Sequence, residues 1–130
     1  MKILLDTHAF LWLIAGDTRL SVKAREIIEA PENERFLSVA SLWEMAIKVS
    51  LGKLTLKFEE PFADAMGGQL SENGVSLLPL GLAHVGRVAV LPFLHRDPFD
   101  RLIIAQGLVE ELPIIGRDQA FDGYGVERIW

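Results

Sequence analysis

Five of the 18 acidic residues in this chain stand where they could do chemistry together: Asp6, Glu44, Asp97, Asp100 and Asp118. Asp6 ends a short apolar run, Lys2–Leu5, and Asp118 follows a second one, Pro113–Gly116. Open parallel α/β sheets collect ligands at the carboxyl ends of their strands, so acids at two such ends can converge although far apart in sequence. Asp97 and Asp100 are three residues apart at the start of a helical stretch and share one face of it. Glu44 falls inside the helix after the second strand. Gathered together, these carboxylates repel one another unless a cation or protons neutralise them. Mg²⁺ or Mn²⁺ suits such a set, because hard cations take oxygen ligands and Mg²⁺ uses one or two carboxylates plus waters and substrate phosphates. Such an ion activates water and stabilises the leaving oxygen of a phosphodiester. No Ser–His–acid order and no Gly-rich phosphate loop competes. An aspartyl phosphatase of the haloacid type needs a second Asp two residues after the first, where His8 stands.

Each residue also has a plainer reading. Asp6, Asp97 and Asp118 all precede helical segments and can serve as ordinary N-caps. Ser41, Glu44 and Lys48 form one polar stripe, and Glu44–Lys48 reads equally as a solvated i,i+4 ion pair. His8 and His95 can edge the same pocket but lack metal-ligand spacing, and His84 reads as an exposed helix residue. Arg96, Arg101 and Arg117 flank the acids; they either hold phosphates or offset local negative charge. Phe10, Trp12 and Trp43 read as core or interface packing.

The elements that must position the acids alternate along the chain. Lys2–Leu5 reads as a buried strand, and Thr7–Ala15 as a helix ended by Gly16 and Asp17. Ser21 caps a helix over Val22–Ala30, Arg35–Val39 is a second strand, and a helix runs from Ser41 to about Leu51. A helix from Pro61 to about Asn73 leads through Asn73-Gly74 into a third strand, Val75–Leu78, and then a helix over Leu82–Val90. Asp97-Pro98 opens a strong helix through Glu111, with the proline at its first position. Pro113–Gly116, a turn or short helix over Asp118–Tyr124, and Val126–Ile129 complete an α/β pattern: a short parallel sheet of four to five strands flanked by helices.

The bulk composition bounds the function. One domain over residues 1–130 is expected from the length. The absence of cysteine removes disulfides and thiolate chemistry. Neither a secretory signal nor a membrane span is recognisable, and a soluble cytoplasmic protein is expected. The residues are 50% hydrophobic and mean hydropathy is +0.27, rich enough to suggest a buried partner surface on a second copy or another chain. A net charge of −5 argues against a general nucleic-acid binder, unless a cation bound by the acids is counted with them.

The blocks LLDTHAFLWLIAGDTRLS, SVASLWEMAIKVSLGKL, LPFLHRDPFDRLIIAQGLVEELPIIGRD and FDGYGV resemble, in order and nearly end to end, the PIN domain of VapC-type toxins. The resemblance is weakest between about Thr55 and Asn73. It implies a PIN-like three-layer fold and a Mg²⁺- or Mn²⁺-dependent endoribonuclease, the toxin of a toxin–antitoxin pair that cleaves RNA to arrest growth. It assigns the family's four acids to Asp6, Glu44, Asp100 and Asp118, with Asp6 and Asp100 as metal ligands. Asp97 assists or only caps. It also implies a small antitoxin as partner and a homodimer. One position departs from the pattern: Gly116 stands where the family has Thr or Ser, two residues before the fourth acid. The missing hydroxyl motivates an alternative, a PIN-like RNA- or protein-binding module with weakened catalysis.

Overall fold

The computed structural model describes residues 1–130. The strands are β1 (Lys2–Leu5), β2 (Glu34–Ser38), β3 (Val75–Leu78), β4 (Ile114–Ile115) and β5 (Arg128–Ile129). The helices are α1 (Thr7–Ala15), α2 (Val22–Glu29), α3 (Val39–Ser50), α4 (Phe62–Glu72), α5 (Leu82–Val90) and α6 (Pro98–Glu110), with a 3₁₀ helix over Gln119–Tyr124. All ladders are parallel, in the order β3-β2-β1-β4-β5. The chain builds outward from β1 in one direction, then returns to β1's other side with β4. The strand order therefore reverses between β1 and β4, and there the carboxyl ends open a crevice.

Alternation along β1 divides the core in two. Ile3 and Leu5 point into a cluster with Phe10, Trp12, Ile28, Met45 and Met66, drawn from α1 to α4. Leu4 points the other way, into Ile103, Ile104, Ile114 and Phe121. The sheet is thus covered on both faces, which is why its central strand is a continuous apolar run. Burying each such side chain contributes roughly 1.5–3 kcal/mol.

The helix boundaries follow their caps. Asp6 and Ser21 accept from the backbone N–H groups of Ala9 and Ala24 at 2.8 and 3.0 Å, and Gly16 closes α1 in the left-handed region at φ 63°. The second strand and third helix lie slightly earlier than the sequence suggests. Ser38 caps α3 by accepting from Ala40 N–H at 3.0 Å, so Val39 and Ala40 are already helical ahead of Ser41. Ser41 is then a buried helix residue, and its Oγ accepts from Thr7 Oγ1 at 2.9 Å, tying α1 to α3. No helix is long and apolar enough to cross a membrane.

Candidate active site

The crevice between β1 and β4 fixes two of the acids. The Asp6 backbone N–H donates to Ile115 O at 3.0 Å, continuing the ladder one step beyond β1. Its carboxylate Oδ1 accepts from Ala9 N–H, so the residue caps α1 while its other oxygen faces β4. That oxygen rests against Gly116: a Cβ there would stand 2.5 Å from Asp6 Oδ2 and 3.0 Å from Cγ. Only glycine leaves room for this carboxylate in this position. Two residues on, Asp118 caps the 3₁₀ helix through Ala120 N–H at 2.9 Å and shares a cleft with Asp6.

Helices α3 and α6 supply the rest. The Thr7–Ser41 bond anchors the start of α3, which sets Glu44 one turn further along the same inward face. Glu44 is 4% exposed; Oε2 accepts from Lys48 Nζ at 3.0 Å, whereas Oε1 is buried with no partner. Trp43 packs edge-on against Phe99, 5.1 Å between ring centres, and so holds α3 beside the start of α6. There Asp97 Oδ1 accepts from Phe99 N–H and Asp100 N–H at 2.8 and 3.1 Å, with Pro98 in the first turn. Asp100 is left free to face the crevice.

His95 joins this group through a braced loop. Tyr124 Oη accepts from the N–H groups of Leu94 and His95 at 3.1 and 2.7 Å. Arg101 Nη1 donates to Pro92 O at 2.9 Å and to Tyr124 Oη at 3.3 Å. The imidazole is thereby held with Nε2 at 2.9 Å from Asp100 Oδ2 and 3.3 Å from Asp118 Oδ2. Its N–H is aligned with neither, so Nε2 is buried without a true hydrogen bond. Ligand atoms of His95, Asp100 and Asp118 all lie within 4.8 Å of one another, a spacing one cation can span.

The electrostatics match a site built around missing positive charge. Burial pushes Asp6 up to about 7; the Ala9 N–H bond opposes this, and the charges of Asp100, Asp118 and Glu44 reinforce it. Burial likewise raises Asp100, to about 6, with Asp97, Glu44 and Asp118 adding to the rise and His95 countering it. His8 is lowered, by burial and then by Lys48, with Arg117 and Arg19 contributing against the pull of Glu44.

The charges of Asp6, Glu44, Asp100 and Asp118 act on one another, but of these only Asp100 and Asp118 fall within one cation's span, together with His95, while Asp97 caps α6 beside them. Asp6 and Asp118 are both N-caps, as the plainer reading has them, and both line one cleft. Other expectations need correction. The Glu44–Lys48 pair forms, but Glu44 is buried and not solvated. His84 is 5% exposed rather than outward-facing; Nδ1 accepts from Gly81 N–H at 2.9 Å and Nε2 meets Glu110 at 2.8 Å. Arg101 is buried against backbone carbonyls and faces neither solvent nor the acids' charge. Of the core and interface readings of Trp43, its 58% exposure removes only the core one. The bracing by Tyr124 carried no signal in the sequence, since it joins segments about thirty residues apart.

The residues present fit a divalent cation. A buried, partnerless Glu44 oxygen, an unaligned His95 Nε2 and two carboxyls held above their ordinary range form an oxygen-rich set that a hard cation would satisfy. In overall fold the chain is similar to chains in three solved structures, each at low sequence identity. VapBC2 from Rickettsia felis bound to a DNA fragment from its promoter matches at TM-score 0.74 and 16% identity, covering 99% of this chain and 98% of that one. VapBC-1 from nontypeable Haemophilus influenzae matches at 0.67 and 14%, over 99% and 97%. FitAcB from Neisseria gonorrhoeae matches at 0.61 and 18%, over 100% and 97%. No functionally curated protein matches it in sequence. The PIN domain family model spans residues 3–127, taking in every acid of the crevice, and the chain belongs to that family.

Proposed function

We propose that this protein is a metal-dependent endoribonuclease, the toxin of a toxin–antitoxin pair acting in the cytoplasm, where it cleaves RNA to arrest growth. The observation that carries this reading is the gathering of Asp100, Asp118 and His95 within 4.8 Å, in a crevice whose cleft Asp118 shares with the strand-end Asp6, where strand order reverses. By the family resemblance Asp6 and Asp100 would hold Mg²⁺ or Mn²⁺, with Asp118 and His95 within reach of the same ion beside Asp100. When bound, the ion supplies positive charge to the phosphodiester transition state and lowers the barrier to attack by water. Glu44 Oε1, the buried oxygen without a partner, accepts a hydrogen bond from the attacking water and orients it in line. Lys48 fixes the other oxygen of Glu44, so the carboxylate cannot turn away. Asp118 completes the acidic wall, and Asp97 keeps the helix end under Asp100 in place.

The neighbouring folds come from VapBC and FitAcB, which supports a small antitoxin as partner. The apolar excess supports a buried partner surface, and the homodimer is what the family resemblance implies. A binding module with weakened catalysis was motivated by Gly116, but Asp6 uses the space where a side chain would stand, which favours the enzyme.

The test is cleavage of total RNA, including structured tRNA, by antitoxin-free protein with Mn²⁺ or Mg²⁺. EDTA and Asp6→Asn serve as paired controls. Asn keeps the cap on α1 and removes the charge. Discrete fragments that vanish in both controls are expected. Cleavage by Asp6→Asn at the native rate would remove Asp6 from the mechanism.

A further inference from the structure

A cleft of about 410 Å³ continues from the acids toward α1, lined by Asp6, His8, Trp12, Arg19, Arg117 and Asp118. Its two walls differ in sign. Two guanidinium groups stack over the Trp12 ring, Arg117 at 4.7 Å and Arg19 at 5.3 Å from the ring centre. The indole is itself buried and packs edge-on against Trp130 at 5.8 Å, so the platform is fixed. Arg19 is tethered to Asp17 through Nε and Nη2, at 3.1 and 2.7 Å. Arg117 lies in the chain between the glycine that seats Asp6 and the acid Asp118, yet makes no hydrogen bond or ion pair with any protein group. Stacking uses the face of a guanidinium and leaves its in-plane N–H groups available for a fork-like grip on a phosphate.

We propose that Arg117, seconded by Arg19 on the Trp12 platform, is a subsite for a backbone phosphate of single-stranded RNA next to the bond held at the acidic centre. This rests on the nuclease reading and extends it. An acidic protein with a carboxylate centre repels a polyanion everywhere except where a cation stands. Here Arg117, stacked on Trp12 and without an acidic partner, borders that centre and shares its cleft with Arg19, whose charge is partly met by Asp17. The acids select the scissile phosphate through their ion, and the arginine wall sets the register of the strand.

The experiment is fluorescence anisotropy with a short fluorescein-labelled single-stranded RNA of mixed sequence, in Mg²⁺ on an Asp100→Asn background, titrated with salt. Arg117→Ala is expected to weaken binding roughly fivefold to tenfold and to reduce the slope of log affinity against log salt by about 0.7, one phosphate contact on a single strand. Arg117→Lys should restore part of the affinity. Lys2→Ala removes equal charge at the opposite end of β1 and should leave the slope unchanged. In the otherwise native protein with Mn²⁺, Arg117→Ala should raise KM for RNA cleavage while kcat stays within about twofold. Unchanged affinity and slope in Arg117→Ala overturn the subsite, as does a background protein that binds no RNA. If the slope falls in Arg117→Ala but no variant and no native protein cuts RNA, the nuclease reading fails and the subsite stands.

Discussion

Two histidine–carboxylate contacts of nearly equal length lie on the same face of the sheet, and only one belongs to the site. His84 meets Glu110 at 2.8 Å and His95 meets Asp100 at 2.9 Å. In the first pair every demand is met. Gly81 N–H donates to Nδ1, which leaves the proton on Nε2 for Glu110, and the bond ties α5 to α6. In the second pair, Nε2 lies between two carboxylates and bonds neither in good geometry. Asp100 is also crowded by Asp97, Glu44 and Asp118. A pair that closes on itself is structure. A pair with surplus charge and unaligned donors is arranged for something that arrives from outside.

Breaking the two pairs should therefore give opposite results. The largest effect is expected from Asp100→Asn: RNA cleavage with Mn²⁺ should fall by about 10³-fold or more, while the urea midpoint holds or rises. A native cleavage rate in this variant would dissolve the distinction. Next comes pH. Asp6 and Asp100 keep their protons to higher pH in the folded chain, to about 7 and about 6, than in the unfolded chain, where carboxyls ionise near 4. Between those values the folded state binds more protons, so stability must fall as pH rises. Denaturation in EDTA should show a loss on the order of 3 kcal/mol between about pH 5 and pH 8. Mn²⁺ should recover it, and Asp6→Asn should flatten the slope. On the other pair, His84→Ala should cost about 2 kcal/mol in urea denaturation, because it strands the Gly81 N–H and the Glu110 carboxylate. Cleavage per folded molecule should stay within about twofold. The smallest effect is expected for Glu110→Gln, about 1 kcal/mol or less, since its amide oxygen can still accept from Nε2. A large loss of cleavage there would assign that pair to the site.

Much of the arrangement was legible before any coordinates. Apolar runs ending in Asp6 and Gly116, and the Asp97-Pro98 start of α6, mark strand and helix ends through local rules of capping and turn chemistry. Where two hydroxyls compete, local rules do not decide. Both Ser38 and Ser41 can cap α3, and the outcome depends on how far β2 pairs with β3, a ladder that ends at Ser38–Leu78. Helix α5 misleads more deeply. Its apolar residues Leu82, Val85 and Val90 are exposed, and its one buried residue is the histidine. Hydrophobic periodicity reads that helix poorly because a narrow face docks it, the His84–Glu110 bond beside the apolar contacts of Val88 and Leu91. Arg101 misleads for a geometric reason: successive helix residues point about 100° apart, so the neighbour of a site residue faces elsewhere. Which acids meet was a matter of strand order, and spacing alone does not carry it.

The seat of Asp6 also bears on how this sequence can be changed. Against the resemblance to VapC-type toxins, a Ser or Thr at position 116 looks like a repair. In this chain the new Cβ would lie 2.5 Å from a carboxylate oxygen and evict it. Positions 6 and 116 are thus epistatic: the letter at one is meaningful only with the side-chain placement at the other. A hydroxyl grafted here must come with a new posture for the acid.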